Sequence, residues 1–359
     1  MTPKDKKQIR IWYWSGASLV FLILVIGGIT RLTGSGLSMT DWKPIMGAIP
    51  PLSESDWKTA FEQYKQFPEY QQLNRGMSLS DFQFIFFWEY LHRMIGRLIG
   101  FVFIIPFAWF LIKKKFDAKQ LKRALLLLVL GASQGLMGWF MVQSGLIDVP
   151  HVSHYRLAAH LSLAFIIFGF CVWFALDLYP NRSKWQAGAP VLRKWLWAFF
   201  LLLSVQIIWG AFVAGLNAGY IYNTFPKMNE FWIPPQLWMM EPVIINLFEN
   251  MVTVQFIHRL LATALGLMAI GLWVCAHQTE TSKQTKMWVA ATVILLFAQY
   301  LIGVYTLLYG VPVWMGVLHQ AAAMILFGVV IGAIHHVGNQ RGKYCPFEKN
   351  LFSSRCSAA

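Results

Sequence analysis

The chain has 359 residues, of which 57% are hydrophobic and only 13% charged, about half the charged share of an ordinary soluble domain. Such a composition excludes a disordered chain, which has little apolar material, and a single water-soluble globule, whose surface these residues cannot supply. The formal net charge of +14 would point to nucleic acid in a soluble protein, but in a membrane chain it is first a statement about loops.

A helix that crosses a bilayer needs about 20 mostly apolar residues. In chain order, the stretches 12–30, 84–112, 122–145, 156–178, 192–216, 251–276, 286–308 and 313–336 meet that need. The expected fold is an all-α polytopic membrane protein of eight transmembrane helices. No small-residue cleavage pattern follows the basic flank and first span, which therefore reads as a retained helix rather than a signal peptide.

Lys and Arg concentrate in KDKKQIR at the N-terminus, KKKFDAKQLKR after span 2, Arg182, Lys184, Arg193 and Lys194 after span 4, Lys283 and Lys286 after span 6, and Arg341 and Lys343 in the tail. All fall on one side, which the positive-inside rule makes cytoplasmic, with both termini there. The positive charge is then topological and no nucleic acid is needed. On the other side lie two long loops, 31–83 and 217–250, rich in aromatics and turn signals such as Ile49-Pro50-Pro51 and Ile233-Pro234-Pro235. They read as ordered caps on the membrane surface, with 54–66 as an amphipathic surface helix carrying Trp57, Phe61 and Tyr64. Cys171 and Cys275 lie in apolar runs and read as core thiols; Cys345 and Cys356 lie in the tail, and no metal-like spacing links the four.

The chain repeats itself once. EYLHRMIGRLIG (89–100) matches QFIHRLLATALG (255–266), Gln134 and Gly138 match Gln299 and Gly303, and RLAAHLSLAFIIFG (156–169) matches MGVLHQAAAMILFG (315–328). Each half holds four spans, so both enter the membrane the same way. The repeat predicts two four-helix bundles, 1–180 and 190–340, related by a pseudo-twofold along the membrane normal, with 341–359 as a cytoplasmic tail.

Four histidines occupy repeat-equivalent places inside spans: His92, His160, His258 and His319. Ionisable groups there are costly and usually functional. His92 lies about 12 Å into its span at helical rise, and the other three sit at similar depth. Each bundle thus offers one pair of imidazoles on two helices, a natural axial ligand set for haem iron. Zinc or copper sites want three or four protein ligands, and only two are offered. Small residues follow at helical spacing, Gly96 and Gly100 after His92, and Ala262 and Gly266 after His258, leaving room for a flat ring. The bland alternative is interhelical hydrogen bonding by each histidine. Arg93, Arg97, Arg156 and Arg259 stand near the histidines and suit anionic propionates, or else interhelical salt bridges and snorkelling.

The halves differ at Glu89, three residues before His92, whose counterpart Gln255 cannot ionise. A carboxyl beside a haem can move protons, so the first bundle reads as chemically active and the second as a binding site; the bland alternative is a salt bridge from Glu89 to Arg93. His151 and His154 in the third loop read as exposed or at a haem edge.

GGITRLTGSGLSMTDWKP after span 1, PEYQQLNRGMSL before span 2, EYLHR within it, YNTFPKM (222–228) and FIHR in the second half resemble the haem A synthase family, over nearly the whole chain. The resemblance implies haem B held by the second half through His258 and His319, and substrate haem O between His92 and His160 in the first. It implies oxidation of one haem O methyl to the formyl of haem A by successive hydroxylations and water loss, with Glu89 as the essential carboxylate. It further implies haem O synthase as donor and terminal oxidase assembly as destination. Some members carry a cysteine pair in an outer loop of each half; here neither long loop has one, so the chain resembles the cysteine-free branch and has no disulfide relay. The competing readings are a dihaem cytochrome b-type electron carrier, a transporter with alternating access, and a scaffold that binds haem only for transfer. Small membrane-facing residues leave a homo-oligomer open, and the lack of an Arg/Ser-rich N-terminal extension leans towards a bacterial inner membrane.

Overall fold

The computed structural model describes residues 1–39, 49–145, 151–179 and 189–338. The tail 341–359 with Cys345 and Cys356, and the loop residues Arg182 and Lys184, lie outside the described residues. The helices are α1 (Pro3–Leu32), α2 (Glu54–Tyr64), α3 (Pro68–Gln72), α4 (Leu79–Ile112), α5 (Ala118–Gly145), α6 (His154–Leu176), α7 (Ala189–Gly215), α8 (Asn246–Glu249), α9 (Met251–Gln278), α10 (Lys283–Leu308) and α11 (Val313–Gly338). Among the described residues the β content is one isolated bridge, Met228 to Phe231. Eight of these helices are long and apolar enough to cross a membrane, and the chain is a multi-pass membrane protein. Each overlaps one predicted span; several start a turn earlier than hydropathy implies because a polar cap begins them. Thr2 with Asp5 and Ser78 with Asp81 form capping boxes that open α1 and α4, satisfying backbone N–H groups that have no intrahelical acceptor.

Pro106 lies inside α4 and has no N–H for the carbonyl of Val102 four residues back. The indole of Trp12 donates to that carbonyl at 3.2 Å. In a membrane interior such a replacement is needed, since no water is there to supply it.

Helices α1, α4, α5 and α6 pack in a closed ring in that order, with the α4–α5 seam the sparsest; α7, α9, α10 and α11 close a second ring. The rings meet along α6–α7, α1–α11 and α6–α11. Gly169 and Gly328, at matching places of the repeat, make the central crossing. A Cβ on Gly169 would stand 2.9 Å from Ile331, and one on Gly328 would stand 3.1 Å from Phe168, so each helix admits the other's bulk at its own glycine. Gln320 of α11 donates to the carbonyl of Leu24 in α1 at 3.0 Å. Arg31 at the end of α1 reaches Asn217 Oδ1, just past α7, at 2.7 Å. At the opposite end Asp177, capping α6, accepts from Arg123 of α5 and from His335 of α11 at 2.7 Å. Burial alone would raise the Asp177 carboxyl, but the hydrogen bonds from His335 and Arg123 outweigh it and hold it below the usual carboxylate range.

The predicted surface helix forms as α2, but its apolar face is spent on protein rather than lipid. Phe61 and Tyr64 are buried with Phe82, Ile85 and Phe86 of α4, and Trp57 packs against them. The loop caps the end of α4.

Candidate functional site

The four histidines fall on opposite corners of the two rings. His92 on α4 faces across to α6, which carries His160; His258 on α9 faces α11, which carries His319. His92 and His160 lie near enough to interact electrostatically, as do His258 and His319. The remaining corners carry glycines against the imidazole edges. A Cβ on Gly27 (α1), Gly138 (α5), Gly210 (α7) or Gly303 (α10) would stand 2.8, 3.2, 3.2 and 2.7 Å from Cε1 of His92, His160, His258 and His319 respectively. A methyl group at any of them would push its histidine aside. The repeat in the sequence reveals Gly138 and Gly303; Gly27 and Gly210 escape notice because their partners are distant in the chain.

Glutamines hold three of the four rings. Gln134 donates to the His160 carbonyl at 3.2 Å and lies 3.3 Å from its Nε2. Gln299 donates to the His319 carbonyl at 2.9 Å and lies 3.1 Å from its Nδ1. Gln206 lies 3.3 Å from His258 Nε2. The Nδ1 atoms of His92, His160 and His258 are buried without a hydrogen-bond partner among the described residues. A Cβ on Gly100 or Gly266 would meet no atom within 4 Å, so the far end of each small-residue strip predicted beside the histidines borders open space. No three His, Cys, Asp or Glu side chains converge as a metal site among the described residues. Paired imidazoles on facing helices, with orphaned ring nitrogens and open space beside them, fit a haem that brings its own equatorial ligands.

Glu89 is 3% exposed, but its surroundings are not apolar. Its Oε1 accepts from Arg93 Nη2 at 2.5 Å, and its Oε2 accepts from Ser38 Oγ and from the Met39 N–H, both at 2.7 Å. The salt bridge to Arg93 is therefore present, and it coexists with a tie to the loop after α1. Arg93 also donates to the Met39 carbonyl at 3.0 Å. The second ring repeats the clasp without a carboxylate. Gln255 donates to the Tyr222 carbonyl at 3.1 Å, and Arg259 donates to the carbonyls of Tyr222, Thr224 and Lys227. The motifs GSGLSM and YNTFPKM thus supply backbone for the residues flanking each histidine. Arg259 Nε stays buried without a partner among the described residues. Arg97 approaches Met94 Sδ at 3.5 Å, and Arg156 donates to the Phe140 carbonyl at 2.7 Å with its guanidinium over that ring. His151 is exposed, whereas His154 is buried, with Glu249 3.7 Å away.

A second buried carboxyl was not foreseen. Glu69 in the cap is 6% exposed and accepts from Tyr64 at 2.9 Å, and Asn74 donates to the Tyr64 hydroxyl at 2.7 Å. Burial pushes Glu69 up to about 7, against the Tyr64 hydrogen bond and helped by the charge of Glu89. In the sequence it is one acid in a polar loop; only the fold of the cap buries it.

Residues 10–331 match the COX15-CtaA family, described as cytochrome oxidase assembly protein. The chain belongs to this family. Its relatives include heme A synthase of Flavobacterium psychrophilum, 47% identical over 92% of this chain and 98% of the relative. Heme A synthase of Nitrosospira multiformis is 44% identical over 93% of this chain and 95% of the relative. Heme A synthase COX15 of Arabidopsis thaliana is 44% identical over 92% and 74%. Family membership extends across both rings and both loop clasps.

Proposed function

We propose that the chain is a haem A synthase that converts haem O to haem A by oxidation, the product serving cytochrome oxidase assembly. Two facing-imidazole sites of one design, only one of them with a carboxylate three residues from a histidine, carry this reading. The first ring, within 1–180, takes substrate haem O between His92 and His160. The second, within 190–340, holds a resident haem B between His258 and His319. When bound, the resident haem supplies one-electron redox chemistry.

The chain's own residues bind and orient. The glycines at the ring corners let each imidazole stand close to backbone, and the glutamines fix three of the rings. Arg93, Arg97, Arg156 and Arg259 offer positive charge for the propionates. Glu89, held by Arg93, Ser38 and the Met39 N–H, has both oxygens oriented before substrate arrives. It is the group that takes up protons or stabilises positive charge developing at the reacting methyl. A dihaem electron carrier would have no use for the Glu89/Gln255 difference. The basic loops set both termini on the cytoplasmic side of a bacterial inner membrane, and haem O synthase is the expected donor.

The test is extraction of haems from the purified protein, followed by chromatography with mass detection. Haem B together with haem O or haem A is expected. Haem B alone at about two per chain would instead fit the electron carrier.

A further inference from the structure

The two rings hold their first histidine differently. In α7, Gln206 stands four residues before Gly210 and its amide lies 3.3 Å from His258 Nε2. In α1, the same spacing before Gly27 brings Ile23. Its Cδ1 lies 3.7 Å from where a Cβ on Gly96 would stand, one turn beyond His92. An isoleucine can offer no hydrogen bond, so the His92 ring lacks the amide contact of His258, although the Nδ1 of both is buried without a partner among the described residues. Gln134 and Gln299 complete the contrast: three histidines have an amide on the ring, and His92 does not.

The difference bears on ligation. An imidazole that binds iron through one nitrogen carries its proton on the other, and a partner for that proton orients the ring and raises its basicity; losing the partner typically costs about 10–100-fold in metal affinity. The side-chain oxygen of Gln206 is buried without a partner among the described residues, and turning its amide over would present that acceptor to the His258 ring nitrogen, where its N–H now stands. A second observation concerns the helix that carries His92. Only 6% of the apolar stretch of α4 is buried, and the same share of α5, against 22% for α9 and 17% for α10. The ligand without an amide sits on one of the two helices least embedded in the protein.

We propose that residue 23 sets haem exchange: Ile23 leaves His92 as the releasable axial ligand of the first ring, while its counterpart Gln206 makes the second ring retain its haem. The proposal rests on the two-site haem reading above. It explains how two pockets of one design serve a turnover substrate and a resident group.

The test uses the full-length protein in detergent, carrying haem O in the first ring and haem B in the second, mixed with excess apomyoglobin while haem transfer is followed optically. Two phases are expected: a fast one missing in His92→Ala and a slow one missing in His258→Ala. Ile23→Gln should slow the fast phase about tenfold and leave the slow phase alone. Gln206→Ile should speed the slow phase about tenfold and leave the fast phase alone. The second variant adds no polar group to the membrane interior and decides the matter if the first does not fold. Electron paramagnetic resonance of the ferric protein adds a readout that packing alone would not move: in Ile23→Gln the low-spin signal of the first site should shift towards that of the second. Rates unchanged within about twofold in the swaps that fold, or a slow phase that responds to Ile23→Gln, would overturn the proposal. Haem loss indifferent to both His92 and His258 would overturn the two-site reading itself, and the proposal with it.

Discussion

The first and second rings use the same corners for the same purposes, and two of the positions at which they differ stand around one histidine. Where α9 has Gln255, α4 has Glu89; where α7 has Gln206, α1 has Ile23. The glycines that admit the imidazoles occur at all four corners, and both loops are clasped by the residues beside the first histidine. The fold tolerates these differences because each swap nearly preserves volume: glutamate for glutamine, isoleucine for glutamine. Chemistry does not tolerate them, since one swap adds a charge and the other deletes a hydrogen bond. A duplicated scaffold can thus acquire two roles through side chains that scarcely alter its packing.

The sharpest way to break this contrast is to erase it. Glu89→Gln gives the first ring the neutral residue of the second. Haem A output should fall by at least about 100-fold while haem content is kept, both read by chromatography of extracted haems. Normal haem A from this variant would end the claim that the carboxylate distinguishes the rings.

The cap over the first ring supplies the next effect. Glu69 is raised from an ordinary carboxyl value to about 7, so the closed cap binds its proton more tightly than the open one. The contribution is therefore fullest below the ordinary carboxylate range and is lost as pH rises through about 7, on the order of 3 kcal/mol in all. Hydrogen exchange across 54–72 should show the wild-type cap less protected at pH 8 than at pH 5, and Glu69→Gln should flatten that dependence. An unaltered pH dependence in the variant would assign it to another group.

The smallest effects compare corners. Gly303→Ala brings a Cβ to 2.7 Å from the His319 ring, whereas Gly138→Ala brings one to 3.2 Å from His160. The first should destabilise the protein by about 1–3 kcal/mol and displace the ligand, and the second by clearly less. Thermal unfolding in detergent, with haem absorbance followed in parallel, would reverse the ranking if the helices relax more easily at α10 than at α5.

The eight spans were legible because length and hydropathy suffice for them, and their starts shifted most where Thr2 and Ser78 cap beyond the apolar run. The histidines were legible through the repeat. What escaped was whatever depends on one helix facing another. Gly27 and His92 are far apart in the chain, and nothing local marks Ile23 as the counterpart of Gln206 until α1 and α7 are seen at the same corner. Glu89 reads as a carboxyl in apolar surroundings because its donors, Ser38 and the Met39 N–H, come from a loop that periodicity does not locate. The apolar face of α2 was visible in Trp57, Phe61 and Tyr64, but not that α4 rather than lipid would cover it.

The seam between the rings makes the peptide linkage across it dispensable. Gln320 on Leu24, Arg31 on Asn217, His335 on Asp177 and the crossing at Gly169 and Gly328 span it from one end of the molecule to the other. Two polypeptides, divided between residues 179 and 189 and translated separately into the same membrane, should find one another and copurify as a working pair.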